Sequence, residues 1–263
     1  MRVCMERDDA RRGLAERAHG AGGSTAPTSP EELLRRAMLA RSPAARARWA
    51  RKGLAALASL DETTQAMLLR QLYLSLYEER AFRRALDIAQ QALELGVMVD
   101  VIRQDAARAA LACGDLDAAV AHLRIAARRA PPSRRAFHLW TLGSVLFLAQ
   151  RYDASVAALR SAARWGTHDK PLYRAQLALV RIAAGEAVED VQAAIDDLSS
   201  APCGQGYGRF VLGHLAYASG AWVAARRYLG AFVRRTEAVP ALQISLAGEL
   251  EMTRSTLAKM AYS

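Results

Sequence analysis

Asparagine is absent from the 263 residues, lysine occurs only as Lys52, Lys170 and Lys259, and cysteine only as Cys4, Cys113 and Cys203. Three scattered cysteines give no disulfide framework and no metal-ligand spacing, which suits a reducing cytoplasm. No apolar run approaches the roughly 18 residues of a bilayer-spanning helix, so membrane insertion is not expected. The N-terminal stretch lacks the apolar core of a secretory signal, and Glu6, Asp8, Asp9 and Glu16 argue against an organelle transit peptide. Aromatics are sparse, and no segment alternates Val, Ile or Thr with polar residues, so strands are not expected.

What is present is Ala, Leu and Arg. Apolar residues make up 52% of the chain, enough to build a core, and these three types favour helix. Composition therefore points to an all-α fold. The formal net charge of +10 rests almost wholly on Arg. Excess Arg and Ala with scarce Lys and Asn is also what a GC-rich genome produces, which discounts the charge as a functional signal. A basic surface still attracts acidic partners through its long-range field.

Residues 1–29 read as a disordered arm and linker, ending in a Gly-, Ser- and Pro-rich stretch. Ser29 followed by Pro30, Glu31 and Glu32 is a helix start: a cap, a first-turn proline and acids at the positive dipole end. Beyond it one phrase recurs, a short turn followed by a small residue at a fixed place in the next helix. Aligned on that residue, the copies fall at Ala85, Ala119, Ser155 and Ala225. The steps are about 34 to 36 residues, with the last interval doubled. A weak intermediate copy is expected around Gly185-Glu186-Ala187-Val188-Glu189-Asp190. A second small residue follows seven positions later at Ala92, Ala126 and Ala162, and a small residue follows Leu at Gly143 and Gly213. Small residues let paired helices approach closely while large ones fill the gaps.

This pattern resembles the tetratricopeptide repeat (TPR), a helix–turn–helix unit of about 34 residues. The resemblance implies a right-handed α-solenoid over 30–263. Its repeats fall at approximately 31–61, 66–99, 100–133, 136–169, 171–204 and 206–239, with a capping helix at 241–262. It also implies a concave groove lined by the first helix of each repeat. The groove residues so implied are Arg70, Leu74 and Tyr77, then Gln104 and Arg108, then Phe137, Trp140 and Phe147, then Leu179, and finally Tyr207, Phe210, His214 and Tyr217. Such a groove is polar and basic at one end and aromatic at the other, suited to a peptide or helix with apolar and acidic residues. The capping helix, the N-terminal arm or a second copy of the chain could equally cover it. Leu74 stands where family members that clamp a terminal carboxylate carry their first Asn, so that activity is not expected.

No catalytic set emerges. The five histidines have no metal-ligand spacing, and neither a phosphate loop nor a G-x-S-x-G elbow occurs. Gly204-Gln205-Gly206-Tyr207-Gly208 follows no strand and reads as a helix-breaking loop, with Cys203 packed beside it. A protein without enzymatic activity, cofactor or metal is expected: a cytoplasmic adaptor or scaffold that binds another protein. Two other readings stay open. One is a regulatory module, related to transcription or secretion, that holds an acidic protein or nucleic acid on Arg clusters of the second helices, at 46–52, 80–84, 124–135 and 226–235. Nucleic acid is disfavoured there because no aromatics interleave the cations for base stacking. The other is a self-assembling structural protein.

Overall fold

Five left-handed turn residues mark the rhythm of this chain. Arg80, Gly114, Gln150, Gly185 and Gly220 adopt φ of 59°, 83°, 58°, 82° and 78°. At each, two amide N–H groups reach back to carbonyls of the preceding helix: Gly114 to Leu111 and Asp115 to Ala110, for example, or Gly185 to Ile182 and Glu186 to Arg181. This closure satisfies carbonyls that a helix end would otherwise leave unpaired. At four of them a new helix begins two residues later, at Phe82, Leu116, Tyr152 and Trp222. The degenerate copy keeps the left-handed turn at Gly185, but its second helix starts later, at Val191, with the Asp190 carboxylate accepting from the Ala193 N–H.

The computed structural model describes residues 29–55 and 60–261. The arm expected over residues 1–29 therefore lies outside the described residues except for Ser29. Those residues are helical apart from turns and one short 3-10 segment, with no strand among them. The chain divides into two units, Met1–Met98 and Val99–Ser263. The first contains α1 (Pro30–Leu39), α2 (Pro43–Leu54), α3 (Glu62–Glu78) and α4 (Phe82–Glu94). Each packs on the next in chain order. Ser29, Ser42 and Asp61 cap the first three of these helices through their side-chain oxygens.

The second unit contains α5 (Val99–Ala112), α6 (Leu116–Arg129), α7 (Pro132–Leu148), α8 (Tyr152–Trp165) and α9 (Lys170–Ala183). It continues with α10 (Val191–Ser200), α11 (Gly208–Ala218), α12 (Trp222–Glu237), α13 (Pro240–Ser245) and α14 (Ala247–Lys259). Successive helices from α5 to α12 pack on one another, α9 also meets α11, and α14 lies on α12 and α11. This serial stacking of antiparallel pairs is an α-solenoid. The C-terminal cap is a short helix and a longer one, broken at Leu246, rather than a single helix over 241–262.

The small residues sit where the helices touch. Ala85, Ala119, Ser155 and Ala225 are each fully buried. A Cβ added to Gly143 would stand 2.5 Å from Leu159 Cγ, and one added to Gly213 would stand 2.4 Å from Leu229 Cδ2. Glycine is required at both, because the facing leucine already fills the space.

The left-handed turns generate a paired prediction. No neighbour lies within 4 Å of a Cβ placed on Gly220, so Gly220→Ala tests conformation alone. It should cost about 1 kcal/mol, the order of the left-handed penalty for a residue with a Cβ. Gln150→Gly should move the other way by a few tenths to ~1 kcal/mol, after the larger entropy of glycine in the unfolded chain is offset. Urea unfolding midpoints of the two variants read both signs.

Candidate functional site

The stripe that the repeat pattern implies runs, in the second unit, along α5, α7, α9 and α11. Asp100, buried at the start of α5, ties the first two together. Its carboxylate accepts from Arg134 Nε at 2.8 Å and Nη2 at 3.0 Å, and lies 3.1 Å from His138 Nε2. Burial alone would raise the Asp100 carboxyl, but these hydrogen bonds, with the Arg134 charge behind them, hold it below the usual value. Burial lowers His138, which Asp100 only partly opposes. The neutral ring, with Nε2–H donating to Asp100, fits this environment.

Further along, buried polar groups form a relay. Gln176 on α9 is fully buried. Its carbonyl accepts from Trp140 Nε1 at 2.5 Å, and its amide donates to Ser144 Oγ at 2.9 Å and Tyr207 Oη at 3.4 Å. The Tyr207 hydroxyl in turn donates to Glu249 Oε1 at 3.3 Å. Trp140 and Ser144 belong to α7, Tyr207 precedes α11, and Glu249 belongs to α14, so one glutamine connects three layers of the stack to the C-terminal helix. Burial is the main reason that Glu249 is pushed up to about 7 and Tyr207 is raised well above the ordinary tyrosine value.

The C-terminal helix closes this end of the stripe. Leu250 joins the core of α7 to α12, and Gly248 faces the Leu148 side chain so closely that a Cβ there would lie 3.1 Å from Leu148 Cδ1. This corrects the groove drawn from the sequence. Tyr77, Gln104, Phe147, Leu179, Tyr207, Phe210 and His214 are buried and offer no open face in this conformation. Tyr77 lies between Tyr73 and Phe82 in the first unit. Phe210 packs on Phe232 and His214, whose burial holds its imidazole down at about 4. The physical reason is chain closure: packing layers and a returning helix cover residues that a bare repeat would leave open.

Arg70, Leu74, Arg108, Phe137, Trp140 and Tyr217 are half-buried. Four of the second unit's expected stripe positions thus reach its surface: Arg108, Phe137, Trp140 and Tyr217. Val101 and Leu111, also half-buried, flank Arg108 on α5. The buried Gln104 lies on the same helix and leaves its Oε1 without a hydrogen-bond partner. Sequence reasoning missed Gln176, Glu249 and the Asp100–His138 contact. The only signal was a polar residue inside an otherwise apolar stripe, as Gln176 is between Leu172 and Leu179.

The Arg clusters are not uniformly free either. Arg46 is buried, with Nη1 2.9 Å from Glu78 Oε1. Arg135 lies over the Trp165 ring and Arg151 pairs with Asp117. One aromatic does interleave cations: Trp49 has Arg36, Arg48 and Lys52 around its ring at 5.2, 4.9 and 5.9 Å. Arg36 is also paired with Glu32. A 3-10 turn from Pro202 to Gly204 leads into the Gly204–Gly208 segment, and Cys203 is buried with its thiol pushed up by desolvation, opposite to an activated nucleophile. Among the described residues no three or more His, Cys, Asp or Glu side chains gather as a metal site, and no helix is long and apolar enough to cross a membrane.

These helices define a TPR-like helical-repeat fold. The same fold occurs in RapI, solved as a crystal structure of its apo form: the TM-score is 0.56 over 97% of this chain and 92% of that one, at 13% sequence identity. No protein-family model matches the chain, and no curated protein matches it significantly.

Two substitutions test the polar framework. Gln176→Leu strands the Trp140 N–H and removes the donor to the Ser144 and Tyr207 hydroxyl oxygens, which keep their own bonds to the Trp140 carbonyl and to Glu249. It should destabilise the protein by about 1–3 kcal/mol in urea unfolding, the cost of unmet buried polar groups. Asp100 has its folded pKa depressed, so its contribution is present above the unfolded value near 3.9 and is lost as pH falls through the folded value. Asp100→Asn should therefore lower stability at pH 7, and the difference from wild type should shrink on acidification below about pH 4.

Proposed function

We propose that the chain is a degenerate TPR protein that acts as a non-catalytic adaptor in the cytoplasm, binding a segment of another protein. The observation that carries this reading is the half-exposed stripe on α5 and α7. Val101 and Leu111 flank Arg108, Phe137 and Trp140 stand 5.8 Å apart between ring centroids, and Gln104 keeps an unpartnered carbonyl oxygen. Aromatic anchors on α7 and an arginine on α5 suit a segment with apolar side chains and an acidic residue. The buried titratable groups tie helices together: Asp100 to Arg134 and His138, and Tyr207 to Glu249. A structural role for them supports a binding protein rather than an enzyme. The helical-repeat fold shared with RapI is of a kind that offers extended interaction surfaces, which supports the same reading.

A specific observation favours a second reading. On α2, Arg48, Arg51 and Lys52 are exposed around the half-buried Trp49, and no acidic residue occurs between Leu33 and Leu60. This basic surface suits an acidic protein. Peptide-display selection on the immobilised full chain separates the two. The adaptor reading expects selected peptides with an acidic residue among apolar anchors. Their affinity should fall at least about tenfold in Arg108→Glu, the order of losing a charge-assisted contact, and stay unchanged in Arg48→Glu/Lys52→Glu. Loss in the α2 variant alone, with steep salt dependence, would move the site to the basic surface.

A further inference from the structure

A buried carboxyl is an expensive way to hold a capping helix, because desolvation penalises the charged form and no cation offsets it here. Glu249 has Tyr207 as its hydrogen-bond partner and is otherwise enclosed. The rest of the α14 contact face mixes polar and apolar groups, with Leu250 in the core and Met252 and Leu257 packed against core residues. Of its thirteen residues, the buried ones are Glu249, Leu250, Thr253 and Thr256. Thr253 is fully buried, with its hydroxyl oxygen lacking a partner. By contrast, α11 buries eight of its eleven residues, mostly apolar. The tether is slight as well. Six-residue α13 buries nothing, Leu246 breaks the chain at φ −122° and ψ 28°, and α14 starts without a side-chain cap. Its far end is fixed by Met260, which is buried and whose carbonyl accepts from Arg226.

The opposing surface is built differently. Trp140, Ser144, Gln176 and Tyr207 are aligned by one another before Glu249 is considered, each with a hydrogen bond inside the group. Their last free donor is the Tyr207 hydroxyl. We infer that these four residues form a socket for a neutral carboxyl or carboxamide carried on a helix, and that the chain's own C-terminal helix fills it as a removable occupant through Glu249. The inference concerns the C-terminal end of the stripe and stands whether or not a partner binds α5 and α7.

Ionisation of Glu249 then works against seating. Its folded value of about 7 lies above the unfolded one, so seating is favoured at low pH and weakens as pH rises through 7. The other titratable groups on the elements around α14 leave Glu249 alone. Arg226 on α12 engages Met260, Glu237 on α12 pairs with Arg254 at 2.5 Å, and His214 on α11 is held neutral by burial. Helices α7 and α9 contribute Leu148, Trp140, Ser144 and Gln176 to this region, and α13 carries no titratable side chain.

Amide hydrogen exchange of the full chain, corrected for intrinsic rates, tests this at residues 247–259. Wild type should open there on the order of tenfold more readily at pH 8 than at pH 6, from the two ionisation states, while α7 and α9 stay protected. Glu249→Gln should remove that pH dependence and stay seated. Glu249→Leu should be less protected than Glu249→Gln, and Tyr207→Phe should erase the difference between them. The inference is overturned if α14 exchanges only together with α7 and α9, if Glu249→Gln keeps the wild-type pH dependence, or if Glu249→Leu seats as well as Glu249→Gln.

Discussion

The close approach of paired helices at small residues is the contact on which the rest depends. Leu159 occupies the volume a side chain at Gly143 would need, and Leu229 does the same at Gly213. Ser155 adds a directional element to the first contact, its hydroxyl donating to the Gly143 carbonyl at 2.7 Å across the pair. These contacts bring the two helices of a hairpin together, and the left-handed residue between them sets how the chain reverses. A solenoid built this way gets its stability from neighbour contacts repeated along the chain. Ala-rich helices can build such a core with few aromatics because closeness replaces bulk.

Polar groups do the work of register between layers. Asp100 links α5 to α7, and Gln176 links α7, α9 and the start of α11. Each is buried and hydrogen-bonded, so sliding one helix past another would strand several donors. The same relay ends on Glu249, so the C-terminal helix is joined to the framework by the group least suited to burial. The proposed binding stripe and the closure therefore share one face. The stripe is half-exposed where α5 and α7 carry it and filled where α14 returns over it.

The repeat was legible because its two determinants, a small residue at each contact and a reversal every 34 to 36 residues, are written locally. Ala85, Ala119, Ser155 and Ala225 sit at the buried contacts, and even the weak copy retains its turn at Gly185. The two non-glycine turn residues, Arg80 and Gln150, were not legible as left-handed because nothing in their identity demands it. The site was harder. Phe147, Leu179 and Phe210 fit an apolar stripe equally well as groove wall or as core, and the choice depends on a helix far away in sequence. Covering by the capping helix was one of several readings the sequence left open. Gln176 and Glu249 have roles only through each other's neighbours, which no periodicity records.

The most direct test of this closure is a cross-link between the C-terminal helix and α7. Leu148 and Gly248 face one another across the contact. Leu148→Cys/Gly248→Cys, placed in a background with Cys4, Cys113 and Cys203 replaced by serine or alanine, should form the 148–248 disulfide under mild oxidation. Peptide mass mapping should find it as the dominant linkage in monomeric protein. Absence of that linkage in a folded monomer, or its appearance only between two copies, would contradict the account that the chain's own C-terminal helix covers the end of the stripe.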